Sequence, residues 1–325
     1  MVPDEDELTI QSIVSVTRHE KDGRTYLLDR GNNHVLVWDA QGRFLKVFGE
    51  KGQGPGQFAF TRRGAGALEI LEDQLVVLDG GLKKLHFFSL EGVYLRTKRF
   101  PTTPGSLRHL LVTGSNYAVI NQYEIYQGKP RLFARIHKPD LSRHFEFEPI
   151  PHKSWIPKER RTNGRRNYIH NAFEPRVVLA VDGSDEIIFS HGGNNYFDVY
   201  DIDGKRLRRV SFALAPKKVR KETALAYRAE QRRNGNASVV NIPEYYPVFT
   251  GVDPLGELGY LISISDGDET ASGILIDRKG KTRASFSREL GDGWMLGVRG
   301  HLFCITVDED DNVQMAYLDI ILPKK

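Results

Sequence analysis

An all-β fold of repeated four-stranded units, closed into a ring, is what this sequence predicts, on three observations. One unit recurs five times: an apolar strand, a tight Asp/Gly turn, then a second strand ending in an aromatic. Each copy is preceded by two more short runs rich in β-branched and aromatic residues, which makes four strands per unit. The final stretch supplies three strands of a sixth unit. A fixed period of this length marks a solenoid or a propeller, and polar capping repeats are absent from the sequence. Six units therefore predict a six-bladed β-propeller, with residues 1–325 as one domain.

The copies run in order along the chain. Residues 35–42 lead into 43–48, and residues 86–92 into 93–100. A weaker copy joins 131–136 to 143–150 through the turn at 138–142. Residues 196–204 lead into 205–212, and residues 273–280 into 281–286. Their first strands fall at 12–16, 66–70, 107–113, 176–181 and 248–252, and their second at 24–29, 74–79, 116–121, 186–190 and 259–265. The sixth unit uses 294–298, 302–307 and 313–321, and residues 7–10 at the other chain end are expected to complete it. Closure by strands from both ends would remove exposed sheet edges.

Two segments interrupt the period, 151–172 and 213–246. Both follow a unit's fourth strand, so on the propeller they belong to one face and border the mouth of the channel. Loops this long in a compact domain are usually functional or disordered. The first carries +5, from Lys153, Lys158, Arg160, Arg161, Arg165 and Arg166 against Glu159. The second carries +4, with Lys217, Lys218 and Arg220 leading its basic residues. The whole chain is only +4, so the remainder is −5 and the positive charge is concentrated in these two insertions. Such a patch attracts anions and speeds their encounter. A helix is expected from about Lys217 to Asn234, started by Pro216 and ended by Gly235, docking through Val219, Ala226 and Ala229.

The run Tyr26 to Leu45, followed by Gly52-Gln-Gly-Pro-Gly-Gln-Phe58, resembles a repeat of the NHL-type six-bladed β-propellers, in particular bacterial members that are exported or lipid-anchored. As motif the resemblance covers about residues 24–60; as architecture it covers most of the chain, with units three and six departing from it. It implies an extracytoplasmic setting, periplasmic, lipid-anchored or secreted, with any anchor on a segment removed before residue 1. A cytoplasmic setting stays open. Some such propellers bind RNA through a basic face, but the modest net charge and the exported relatives argue against nucleic acid here.

Several residues invite a chemical reading. Asp29, Asp79, Asn121, His191, Asp266 and Asp308 each follow a second strand and would ring the channel face. Asp79, Asn121 and Asp266 could hold a divalent cation, and oxygen ligands favour Ca2+. The competing reading is turn chemistry, in which Asp and Asn bond their own backbone. His152, His170 and His191 share that face but match no metal spacing. Trp155, Tyr168, Phe173, Tyr196, Tyr245 and Tyr246 gather around the insertions, and aromatics beside arginines suit sugar rings or peptides. The Gly-rich run 49–56 lacks the Gly-Lys-Ser/Thr ending of a phosphate loop and reads as a link between blades. The single cysteine, Cys304, excludes intrachain disulfides and reads as a buried thiol. Residues 1–7 do not read as a signal peptide, and no apolar run reaches the ~18 residues of a membrane span.

Together these observations predict a monomeric, non-enzymatic binding module without a resident cofactor. Arg160, Arg161, Arg165, Arg166, Lys217 and Arg220, with His191 and Tyr168, would recognise an anionic glycan, a cell-envelope component or an acidic protein. The alternative is a channel-centred metal-dependent lyase or hydrolase.

Overall fold

The repeated turn owes its sequence to one hydrogen-bond pattern. Asp39 Oδ1 accepts from the N–H groups of Gln41 and Arg43, both at 2.9 Å. Asp201 Oδ1 accepts from Asp203 at 3.0 Å and Lys205 at 2.8 Å. Asp277 Oδ1 accepts from Lys279 at 2.9 Å and Lys281 at 3.0 Å. Ser89 fills the same place with its hydroxyl, toward Glu91 and Val93. A side chain that bonds the backbone two and four residues on fixes the turn. The glycine that closes it adopts φ between +75° and +87° (Gly42, Gly92, Gly204 and Gly280), where a Cβ would be strained. In the weaker copy Leu141 must take φ +65° instead, which is why the motif fades there.

The computed structural model describes residues 10–60, 66–99, 105–126, 129–151, 155–162, 165–182, 184–233, 239–264, 270–289, 294–298, 301–307 and 313–318. Blade 1 is β1 (Ile13–Arg18), β2 (Thr25–Asp29), β3 (His34–Trp38) and β4 (Phe44–Phe48). Blade 2 is β5 (Gly66–Leu71), β6 (Gln74–Asp79), β7 (Lys84–Phe88) and β8 (Tyr94–Arg99). Blade 3 is β9 (Gly105–Val112), β10 (Ala118–Tyr126), β11 (Lys129–His137) and an outer strand broken into β12 (Arg143–Glu146) and β13 (Ile150–Pro151). The first insertion forms β14 (Trp155–Thr162) and β15 (Arg165–Asn171). Blade 4 is β16 (Val177–Val181), β17 (Ile187–His191), β18 (Tyr196–Tyr200) and β19 (Arg206–Ser211). The second insertion forms α1 (Lys221–Arg233) and β20 (Val239–Asn241). Blade 5 is β21 (Gly251–Pro254), β22 (Tyr260–Ile264), β23 (Thr270–Ile276) and β24 (Thr282–Glu289), and blade 6 is β25 (Trp294–Val298), β26 (His301–Val307) and β27 (Val313–Leu318).

Every blade is an antiparallel meander in sequence order. Its innermost strand touches the innermost strands of both neighbours: β1 meets β5, then β9, β16, β21 and β25, and β25 returns to β1. The fold is thus an all-β, six-bladed propeller with a closed ring. Blades stack face to face, so the middle strands are covered on both sides. Each residue of β2 and β7 is buried, which explains why these strands read as unbroken apolar runs rather than as alternating ones. One core joins Tyr26, Leu28 and Val37 of blade 1 to Leu68, Leu75 and Phe88 of blade 2, with Phe58 from the link between them. Another joins Phe197 and Val199 of blade 4 to Tyr260 and Ile274 of blade 5.

The Gly-rich run is the inter-blade link the sequence predicts. Phe58 is fully buried, and its N–H donates to Glu50 O at 2.8 Å. Gln57 accepts from Gly54 N at 2.8 Å and donates to Glu50 Oε1 at 2.7 Å. Gly49, at φ +87°, leaves no room for a Cβ, which would lie 2.4 Å from the Phe58 ring.

Blade 6 has three strands among the described residues. Of the segment expected to complete it, 7–9 lies outside the described residues. Ile10 is in no strand and packs instead on the blade 1 core.

Candidate functional site

The two insertions are not independent loops. Their strands pair: β15 runs parallel to β20, with Ile169, His170 and Asn171 opposite Val239, Val240 and Asn241. Ala172 N donates to Asn241 O at 2.8 Å, and Asn241 Nδ2 donates to Asn171 Oδ1 at 3.0 Å. With the β14–β15 hairpin this makes a three-stranded sheet built from both insertions. The expectation that they are neighbours holds, while the expectation that they are loops gives way to ordered strands and a helix.

Register sets where the arginines stand. Arg161 pairs with Arg166, and Thr162 with Arg165, at the tip of the β14–β15 hairpin. Directly opposed like charges cost stability in an antiparallel pair. A register shift between Pro157 and Arg161 places Arg160 inside the bulge. Tyr168 pairs with Pro157 further down the hairpin.

The second insertion is closed at its base. Val219 N donates to Glu244 O at 2.8 Å, and Tyr246 N to Lys217 O at 2.9 Å. Lys217 and Arg220 are exposed beside this clasp. The helix starts later than its sequence implies, at Lys221 rather than Lys217, because residues 217–219 are used in the clasp. Its docking face also differs. Ala226 and Ala229 are exposed, and Thr223, Ala224, Tyr227 and Gln231 turn inward, with Val219 half-buried in the clasp. Tyr227 packs on His170 at 5.8 Å and on Phe173 at 5.1 Å between ring centroids. Glu222 in the first turn and Arg232 and Arg233 in the last complement the helix dipole. Lys221, Arg228, Arg232 and Arg233 all remain exposed.

Between the insertions and blade 4 lies a cleft of 530 Å³. Phe173, Pro216, Pro243, Tyr245 and Tyr246 form its walls, and Gly193 of the β17–β18 turn reaches its floor. That turn joins the second and third strands of blade 4, so the insertions lie on the face the sequence assigns them. Phe173 and Tyr246 meet edge to face at 4.8 Å. Tyr245 is 45% exposed, whereas the Tyr246 hydroxyl is buried with no partner among the described residues. Burial depresses the pKa of His170, which disfavours its charged form.

The expected channel ring divides. Asp29 accepts from the N–H groups of Gln11, Ser12, Gly31 and Asn32, and from Asn32 Nδ2. Asp79 accepts from Ala59 N at 2.9 Å and Leu82 N at 3.0 Å. Both carboxylates tie a blade's inner turn to the incoming link. Asn121 is buried, and its Oδ1 has no partner among the described residues. Asp266, Asp308 and His152 lie outside the described residues. Among the described residues no three His, Cys, Asp or Glu side chains converge as a metal site would require.

A second cleft, of 380 Å³, escapes sequence reading. It lies between blades 3 and 4, lined by Phe145, Phe147, Phe189, Tyr196 and Tyr200, with His191, Asn194 and Asp198 beside them. Arg209 makes two 2.8 Å bonds to Asp198 and lies 3.7 Å over the Tyr196 ring. The signal was present in the sequence as the interruption of the blade 3 repeat at Glu148-Pro149, but its partner aromatics lie some 40–50 residues on.

Comparison with known proteins agrees with the architecture. Residues 4–141 match a family described as a 6-bladed beta-propeller. A crystal structure of a Bacteroides fragilis protein described as exported aligns with 97% of this chain and 92% of its own, at TM-score 0.60 and 10% identity. A member of the duf4221 family from Bacteroides vulgatus aligns with 96% of this chain and 95% of its own, at TM-score 0.51 and 12% identity. A streptogramin B lyase aligns at TM-score 0.49 and 11% identity, over 97% of this chain and 86% of its own, too loosely to bear on activity. No curated protein matches the chain. The chain is a six-bladed β-propeller that shares its fold with proteins of Bacteroides.

Proposed function

We propose that this propeller is a non-enzymatic binding module whose two basic insertions recognise an anionic partner. The observation that carries the reading is the β15–β20 pairing, which fuses both positively charged segments into one platform over blade 4. Exposed Lys217 and Arg220 and the basic surface of α1 border it, and the 530 Å³ cleft opens beneath it. The register brings Arg161 opposite Arg166 at the hairpin tip, so both positions stand at one end of the platform. The setting we propose is extracytoplasmic, as a monomer, in keeping with the NHL-like first blade and with the exported Bacteroides fragilis protein of the same fold. No helix among the described residues is long and apolar enough to cross a membrane.

The test is salt dependence. Retention on an immobilised anionic polysaccharide should fall steeply between low and physiological ionic strength, because exposed charges are screened over about 8–10 Å. Retention that ignores salt would overturn the reading.

A second reading has one observation in its favour. The Asn121 oxygen, without a partner among the described residues, is the kind of ligand a hard cation uses, and a channel-centred lyase or hydrolase would hold its metal with Asp79 and Asp266 as well. Elemental analysis, with melting before and after a chelator, separates the two. A stoichiometric divalent ion whose removal lowers the melting point would establish the metal reading.

A further inference from the structure

We propose that the groove between blades 3 and 4 seats a sugar ring of an acidic oligosaccharide whose anionic groups reach the basic platform. The inference rests on the binding reading above and adds the class of partner. Four features of the groove lead to it.

The groove exists because the outer strand of blade 3 is broken. Strand β12 stops at Glu146, β13 begins at Ile150, and Phe147 and Glu148 of this break line the groove. Aromatic side chains line the groove: half-buried Phe145, Tyr196 and Tyr200, backed by buried Phe147, which meets Phe189 at 4.8 Å and Tyr200 at 5.0 Å. Half-buried Tyr196 has one ring face occupied by Arg209, which holds the ring in place.

Polar groups stand at the same groove. Asp198 is fixed by its two bonds to Arg209, yet a carboxylate has lone pairs beyond those two. Asn194 comes from the β17–β18 turn, and Ser190 and His191 from the end of β17. A sugar ring presents apolar C–H faces and a rim of hydroxyls. Aromatic walls with a few fixed acceptors and donors match both, and 380 Å³ falls in the roughly 300–1,000 Å³ range of ligand clefts.

A peptide fits less well. Strand addition needs unpaired backbone groups, and here the Phe147 N–H already donates to Ala134 O at 3.0 Å. The Pro149 carbonyl accepts from Arg131 Nη1 at 3.3 Å, and proline has no N–H to offer.

The two clefts flank one turn. Gly193 lines the cleft under the platform, while His191 and Asn194 line the groove. One extended chain of sugars crossing residues 191–194 would touch both. That links ring recognition to charge recognition without a second ligand.

The experiment is calorimetric titration of the whole protein with three probes of matched charge: an oligogalacturonate hexamer, linear polyphosphate and a hexaglutamate peptide. The oligogalacturonate should bind at least tenfold more tightly than the other two. Tyr196→Ala removes the ring platform, and Asn194→Trp fills the groove from a half-exposed turn position. Each should weaken the oligogalacturonate tenfold or more and leave polyphosphate unchanged. If Tyr196→Ala melts early, Asn194→Trp decides. Wild-type affinity for the sugar in Asn194→Trp would overturn the groove, as would equal or tighter binding of the peptide. In either case polyphosphate binding would leave the basic platform standing. Failure of all three probes to bind the unaltered protein would overturn the platform reading itself.

Discussion

Blade 1 and the platform over blade 4 use their polar side chains in opposite ways. In blade 1, Asp29 and Asp39 are turned onto the backbone, where they accept from six backbone N–H groups and hold the inner and outer turns in shape. On the platform, Lys217, Arg220, Arg228, Arg232 and Arg233 are exposed on a support held together by the Asn171–Asn241 bond, the backbone 217–246 clasp and the Tyr227 packing. Polar groups committed to the backbone set the fold, and those exposed on a rigid support can reach a partner. The division can be broken from either side.

The largest effect is expected on the platform. Reversing Arg160, Arg161, Arg165 and Arg166 to Glu should weaken anionic-partner binding by more than a thousandfold, about 4 kcal/mol. The melting temperature should move little if these arginines serve the partner and not the fold. Binding and thermal melting on the same sample check both halves. A variant that fails to fold would show that the arginines belong to the architecture after all.

The reverse experiment is made in blade 1. Asp29→Ala leaves four backbone N–H groups at the first inner turn without their acceptor. Partly buried donors left without their acceptor, with a charged acceptor lost, should cost about 3 kcal/mol by denaturant titration. Platform binding of the folded fraction should be unchanged.

A third change sharpens the comparison at the inner rim. Asp253, on innermost strand β21, keeps some accessible surface, but its carboxyl is surrounded by protein, and burial raises its pKa to about 6. The folded state therefore holds a proton that the unfolded chain releases near pH 4. Where the folded state binds more protons, stability falls as pH rises. The fall should span about pH 4 to 6 and level off above it, with a total on the order of 3 kcal/mol. Asp253→Asn should abolish that step and exceed the natural chain in stability at neutral pH. Denaturation midpoints across that pH range give the answer, and an unchanged pH profile in the variant would place the titration elsewhere.

Most of the ring was legible in the sequence because its chemistry is local. The Asp39, Asp201 and Asp277 turns bond within five residues, and the buried middle strands read as continuous apolar runs. The platform was legible only as charge. Its assembly depends on β15 meeting β20 across some 70 residues of intervening blade, and no local signal in Ile169–Asn171 or Val239–Asn241 announces that pairing. The helix was placed well but rotated wrongly: Ala226 and Ala229 look like a docking face until Tyr227 is seen to reach His170 and Phe173. The groove between blades 3 and 4 was missed for the same reason, since Phe147 and Tyr200 come together only when the blades stack.

The smallest effect is expected where the two kinds of polar group most resemble each other. Lys218 and Glu244 form a 3.2 Å ion pair on the clasp of the second insertion, with both side chains well over half exposed. On geometry alone the pair looks like part of the support. Solvent screening and the entropy of two long side chains reduce such pairs to roughly 0–1 kcal/mol. The clasp itself is backbone: Val219 to Glu244 and Tyr246 to Lys217. Replacing both Lys218 and Glu244 by Ala removes no net charge and no backbone bond. Stability should then stay within about 0.5 kcal/mol and binding within twofold. A double-mutant cycle that found strong coupling between the two would mean that the clasp is held by charge, and that high salt would loosen the platform itself as well as screen its partner.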